Sequence, residues 1–222
     1  GGDIQILYEN GFKKNFAYGK KFWADEYRLN ERISNYKKPF VAFMQGFTMG
    51  GGVGVSCHGS HRIVGETSNI AMPECSIGLV PDVGGSFLLA KLPGNMGIFL
   101  GVTGKRMKAS DAIYCGFADY FIPETKWKDL KKKLIETGNI DWIKKFHERT
   151  EISVIENSFS QISEAMVDIS SKNIESRLKH PFFEKDLSAL RFNSPISVAY
   201  TIMMLKMEKV RNNISDALDA EY

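Results

Sequence analysis

Two carboxylates and a run of glycines, all in one stretch of the chain, are the residues best suited to chemistry. Glu74 lies in Met72-Pro73-Glu74-Cys75 and Asp82 in Val80-Pro81-Asp82-Val83-Gly84-Gly85, both apolar, Gly/Pro-rich settings. Upstream stand Gly50, Gly51 and Gly52. Without Cβ atoms, glycines let a ligand atom come within hydrogen-bond distance of the backbone. Where such a run opens a helix, the first amides point outward without helical partners. Amides that can hold an oxyanion, beside carboxylates that can act as nucleophile or base, suggest acyl chemistry.

The elements around them must hold these groups in place. Phe40–Met44 is a short, turn-bounded apolar run, as a buried strand is, and Val53–His58 reads as a helix packed into the core. His61–Val64 is a second strand, and Ile70–Met72 a shorter one ending at Pro73-Glu74. Pro81 and the paired Gly84 and Gly85 predict a tight turn holding Asp82, ahead of a helix over Ser86–Leu92 that Pro93-Gly94 ends. Asp82 also suits plain helix capping, which is compatible with catalysis. Upstream, Lys20–Tyr36 is expected to be helical, with Phe22, Leu29, Ile33 and Tyr36 on its inner face and Pro39 as its stop. Trp23 and Tyr27 either pack in the core or line an acyl pocket.

At this point the chain resembles a known family. The segments KPFVAFMQGFTMGGGVGVSCHG (38–59) and AMPECSIGLVPDVGGSFLLAKLPG (71–94) are similar to the crotonase (enoyl-CoA hydratase/isomerase) superfamily, whose members hold a CoA thioester carbonyl between two backbone N–H groups. The opening GGDI resembles the end of the first oxyanion motif, and KASDAIYCGFADYFIP (108–123) the segment after the core. Within the superfamily the pattern is most like the 3-hydroxyisobutyryl-CoA hydrolase branch. The resemblance implies an α/β fold with a crotonase-like ββα spiral core and C-terminal helical additions. It implies Gly2 and Gly51 as the two oxyanion donors, with Gly50 beside them, and Glu74 and Asp82 as the catalytic pair. Glu74 would attack the acyl carbon or activate the water that does so; Asp82 would bind the substrate hydroxyl and help manage a proton. Hydratases need a further glutamate just after the glycine run, where this chain has Gly54.

The implied activity is hydrolysis of a short 3-hydroxyacyl-CoA, 3-hydroxyisobutyryl-CoA of valine catabolism foremost, with no cofactor beyond the CoA of the substrate. A hydratase or isomerase using Glu74 alone is the alternative within the fold. A non-catalytic acyl-CoA binding protein is the alternative of another class, and it would have no need of Glu74 and Asp82. The location expected is the mitochondrial matrix in a eukaryote or the cytoplasm in a bacterium, and homo-oligomerisation is left open.

Other signals are weaker. Of the 222 residues 43% are hydrophobic and 25% charged, enough to build a sizeable core without disulfides, and a net charge of +3 is too small to argue for nucleic acid. Cys57, Cys75 and Cys115 are odd in number and lack metal spacing, so no metal site is expected and reduced thiols are. No run of about 18 apolar residues exists to suggest a membrane span. Ser56 lacks the glycine two residues later that a nucleophile elbow needs, since His58 stands there. His58 and His61 are read as structural. Gly101–Arg106 misses the phosphate-loop pattern, with Phe99 at the first glycine's place and no Ser or Thr after Lys105.

Past the glycine region, helices are predicted over Gly94–Val102 and Lys108–Cys115, then a strand over Tyr120–Ile122. The boundary at Pro123 divides a core, 1–123, from a helical region, 124–222. In the latter, Trp127–Ile135 and Ile152–Ile169 are expected helices, the second with a seam of Ile155, Phe159, Ile162, Met166 and Ile169 docked on the protein's own body. Asp186–Lys206 follows, with Ser194-Pro195 as a helix start. The expectation is also that both an N-terminal and a C-terminal portion are missing.

Overall fold

The computed structural model describes residues 3–222. Asp3 caps the first helix, α1 (Ile4–Phe12), by accepting from the Ile6 N–H at 3.1 Å, and α2 (Phe16–Ser34) follows. Gly2 lies outside the described residues. The next fifty residues run through one unit twice. β1 (Val41–Met44) and β2 (Phe47–Met49) lead into α3 (Gly51–Ser56). Then β3 (His61–Val64) and β4 (Asn69–Ala71) lead, through a 3₁₀ turn at Glu74–Ile77, into α4 (Gly85–Ala90). After them come α5 (Met96–Thr103), α6 (Ala109–Tyr114) and β5 (Tyr120–Phe121).

Strands β1, β3 and β5 make a parallel sheet in the order β1-β3-β5, with Val41 opposite His61 and Ile63 opposite Tyr120. Strands β2 and β4 make a separate parallel pair, Phe47 opposite Asn69. Each strand pair therefore starts in one sheet and steps into the other, and each exits toward a helix. That step brings Gly50, after β2, beside Glu74, after β4.

The remaining helices are α7 (Trp127–Thr137), α8 (Asp141–Phe146), α9 (Val154–Asn157), α10 (Phe159–Ala165), α11 (Ile174–Arg177), α12 (Glu184–Phe192), α13 (Pro195–Leu205), α14 (Glu208–Asn212) and α15 (Ile214–Glu221). Ser194 caps α13 by accepting from the Ser197 N–H, with Pro195 at the first helical position as its sequence predicts. Side chains of α13 to α15, among them Ile202, Val210 and Leu218, share one buried core with Val53, Ile70 and Leu89. On the three-stranded sheet, Ile63 and Ile122 pack with Trp127, Leu130 and Ile143 of α7 and α8. Burying side chains such as Leu130 and Ile143 contributes about 1.5–3 kcal/mol each.

The structure differs from the sequence-based expectations in several places, the unexpected short helices α8 and α11 among them. Helix α1 and the three-residue β2 were not anticipated, the first because none of its residues is buried and the second because three residues carry no readable period. Helix α2 starts at Phe16 rather than Lys20, and its inner face is Tyr27, Asn30 and Ile33, with Leu29 and Tyr36 exposed. At 100° per residue that is roughly a quarter turn away from the expected face. The stretch 152–169 is two short helices rather than one, parted at Ser158 and ended before Asp168, which has φ +49°. Ser153 caps α9 through the Glu156 N–H, and polar Asn157-Ser158 favours a break over continuation. The seam still buries Ile155, Ile162, Met166 and Ile169 against this chain.

Candidate active site

Gly50 precedes α3 with φ +52° and ψ −125°, a backbone shape open to glycine, and Gly51 begins the helix. A Cβ on Gly50 would lie 3.3 Å from Glu74 Oε1, so the glycine turn and this carboxylate touch. Glu74 starts the 3₁₀ turn and is 5% exposed; its Oε2 is buried and without a protein partner. Burial, then the nearby Asp82, pushes the Glu74 pKa well above the usual carboxylate range. Asp82 is buried too and accepts a hydrogen bond from the Tyr27 hydroxyl at 3.0 Å. Burial raises its pKa to about 6 despite that bond, with Glu26 adding to the rise. The Tyr27 phenol is itself raised, chiefly by burial, so it remains the donor.

The turn carrying Asp82 is held from two sides. Val83 has φ +54°, a strained conformation for a β-branched residue. His58, at the end of α3, contacts the Val83 carbonyl at 2.8 Å through Nε2. Burial pushes the His58 pKa down to about 4, so the ring is neutral near pH 7 and donates its Nε2–H there. From α15, Glu221 accepts from the Gly84 N–H (2.8 Å), the Ser86 N–H (3.1 Å) and the Ser86 hydroxyl. Burial raises Glu221 to about 8, with the Asp82 charge contributing. Three acids thus share one neighbourhood in which full ionisation at neutral pH is disfavoured.

Position 54 is closed. A Cβ on Gly54 would meet Asn30 Nδ2 at 2.6 Å and Val83 Cβ at 2.7 Å, leaving no room for a side chain. Beside Asp82 opens a cleft of about 200 Å³, lined by Trp23, Tyr27, Leu79, Val80, Asp82, Glu221 and Tyr222. Asp82 lines it, whereas Glu74 and the glycine turn do not.

The structure brings Gly50, Gly51, Glu74 and Asp82 together. Ser56 is turned inward, donating to the Gly52 carbonyl at 2.5 Å, and is no nucleophile. Cys57, Cys75 and Cys115 are free and buried. Among the described residues no group of three or more His, Cys, Asp or Glu is placed to hold a metal, and no helix is long and apolar enough to cross a membrane. Sequence reading missed Asn30 and Glu221. A polar residue spaced three from both Tyr27 and Ile33 was the available sign for Asn30; Glu221 is remote in the chain and left none.

The chain is similar to several known proteins. The sequence profile of the enoyl-CoA hydratase/isomerase family matches residues 1–222. The mitochondrial 3-hydroxyisobutyryl-CoA hydrolase of Gallus gallus is 36% identical over all of this chain, and the chain spans 61% of that relative's length. A crystal structure of an enoyl-CoA hydratase from Rhodobacter sphaeroides superposes with a TM-score of 0.93 at 44% identity, covering 100% of this chain and 65% of that one. A carnitinyl-CoA dehydratase from Mycobacterium thermoresistibile also reaches 0.93, at 34% identity, with 100% and 66% covered. The ββα architecture is therefore the crotonase fold.

Proposed function

The chain belongs to the enoyl-CoA hydratase/isomerase family, and from that premise we propose that it hydrolyses a short 3-hydroxyacyl-CoA thioester, 3-hydroxyisobutyryl-CoA foremost, to free acid and CoA. The observation that carries this reading is the closure of position 54. Hydratase chemistry in this fold needs a second acid there, and Asn30 and Val83 occupy its space. The name of the Gallus gallus relative supports the same reading.

In this mechanism the thioester oxygen accepts from the N–H of Gly51 and from a second backbone donor, the part that the family resemblance assigns to Gly2. Each such donor contributes about 3 kcal/mol to the transition state. Glu74 attacks the acyl carbon or draws a proton from the attacking water, and its raised pKa makes its carboxylate a stronger base than an exposed one. Asp82, held by Tyr27 at the cleft, binds the 3-hydroxyl. Water is the only co-substrate required. Several relatives are mitochondrial by name, which supports the mitochondrial matrix as the location if the source is a eukaryote.

Hydration of an enoyl-CoA is the second reading, favoured by the likeness to the Rhodobacter sphaeroides enoyl-CoA hydratase. Thiol release from 3-hydroxyisobutyryl-CoA, run beside loss of the enoyl absorbance of crotonyl-CoA, separates the two. Hydrolysis predicts thiol release and little hydration; the reverse overturns it. Asp82→Asn should slow release about tenfold or more for the 3-hydroxy substrate and less for isobutyryl-CoA, since only the former loses a hydroxyl contact.

A further inference from the structure

Helix α2 buries a polar residue that the mechanism so far leaves idle. Asn30 is 0% exposed, and neither its Nδ2 nor its Oδ1 has a protein partner. An unpaired buried amide is costly, and native proteins keep few of them. Glu74 Oε2 is in the same condition.

Both side chains meet the start of α3. Glu74 Oε1 lies against the Cβ position of Gly50, and Asn30 Nδ2 against that of Gly54. Those glycines are one helical turn apart, joined by the Gly54 N–H donating to the Gly50 carbonyl at 3.3 Å. The Asn30 amide also stands where a side chain at position 54 would project, so the place of a second acid is taken by a neutral group.

We infer that Asn30 is a further catalytic residue, whose carboxamide binds the attacking water jointly with Glu74. The inference rests on the hydrolase reading above. Asn30 Oδ1 accepts one O–H of the water and Glu74 the other, which leaves an oxygen lone pair for the acyl carbon. The water oxygen forms the new C–O bond as Glu74 takes its proton. The C–S bond then breaks, and the proton passes to the departing CoA thiolate. An amide orients the water without offering a second proton, so the site hydrolyses rather than hydrates.

Asn30→Leu tests this, being close in size and unable to bind water. Release of CoA should fall about 10²-fold in kcat, with KM changed less than about threefold. The Tm should hold or rise, because an unpaired amide has left the interior. Retention of kcat within about threefold overturns the inference. So does a variant that fails to fold or melts lower, since that assigns Asn30 to packing. Asn30→Asp supplies an independent readout: it keeps an acceptor for the water and sets a charge beside Glu74, Asp82 and Glu221. Its pH–rate profile should move to higher pH; an unmoved profile counts against the inference. Wild type and Glu74→Gln run in parallel. If wild type hydrolyses, Glu74→Gln does not and Asn30→Leu does, the Asn30 role falls and the hydrolase reading stands. A wild type that releases no CoA overturns both.

Discussion

Arg62 lies within β3 and Glu74 just after β4 of the repeated ββα unit, yet their surroundings are opposite. Arg62 donates to Asp119 through Nε (2.9 Å) and Nη2 (2.6 Å), and through Nη1 to the carbonyls of Cys57 (3.1 Å) and Gly116 (2.6 Å). Nearby, Glu124 accepts from the Thr67 N–H, the Thr67 hydroxyl and Gln45 Nε2. Around Glu74 the saturation stops: Glu74 Oε2 and both polar atoms of Asn30 are buried without partners. Arg62 and Glu124 spend their bonding capacity on the protein. Asn30 and Glu74 keep part of theirs in reserve, at a cost of about 1–3 kcal/mol for each unmet group. That reserve is what a substrate or water can use.

The sharpest way to break the contrast is Glu74→Gln. CoA release should fall by at least about 10²-fold while the fold persists, because a neutral amide costs less to bury than a carboxylate. Near wild-type thioesterase activity in the folded variant would remove Glu74 from the chemistry.

Titration should separate the regions by sign. Asp82 rises from 3.8 to about 6 and Glu221 from 4.5 to about 8 on folding, so each binds more protons folded than unfolded. Their stabilising contribution is complete below pH 4 and is lost as pH climbs through 6 and 8; for Asp82 the loss is on the order of 3 kcal/mol. Glu124 runs the other way. Burial raises its pKa, but the bonds from Thr67 and Gln45 outweigh that and lower it, so its contribution is present above 4.5 and lost as pH falls. Urea midpoints from pH 4 to 8 should decline less steeply in Asp82→Asn than in wild type. Equal slopes would refute the assignment.

Arg62→Met removes four side-chain hydrogen bonds and should cost about 2–4 kcal/mol of stability. Activity per folded molecule should stay within about twofold, as the residue has no contact with the site. A tenfold loss of kcat would erase the distinction between scaffold and site.

The smallest expected effect comes from Gly54→Ala. Its Cβ would collide with Asn30 and Val83, and such overpacking costs about 1–3 kcal/mol. Hydrolysis should slow as Asn30 shifts. Gly54→Glu should yield no hydration of crotonyl-CoA, and measurable hydration would show that the space can open.

Much of this was legible in the residues alone. Strand–glycines–helix order around Gly50 and Gly51, the strands at His61 and Tyr120, and Glu74 and Asp82 in apolar turns all rest on local signals of period, turn chemistry and backbone freedom, which a sequence carries directly. Which face of α2 turns inward was decided elsewhere. Local hydrophobicity pointed to Leu29 and Tyr36, but the groups to be met, Asp82 and the gap at Gly54, come from segments more than twenty residues away, and they draw in Tyr27 and Asn30. Glu221 is farther still, 137 residues from the Gly84 amide it caps. Only the packing of α15 onto the Asp82 turn brings that pair together, because a hydrogen bond between remote residues leaves no periodicity in either of them.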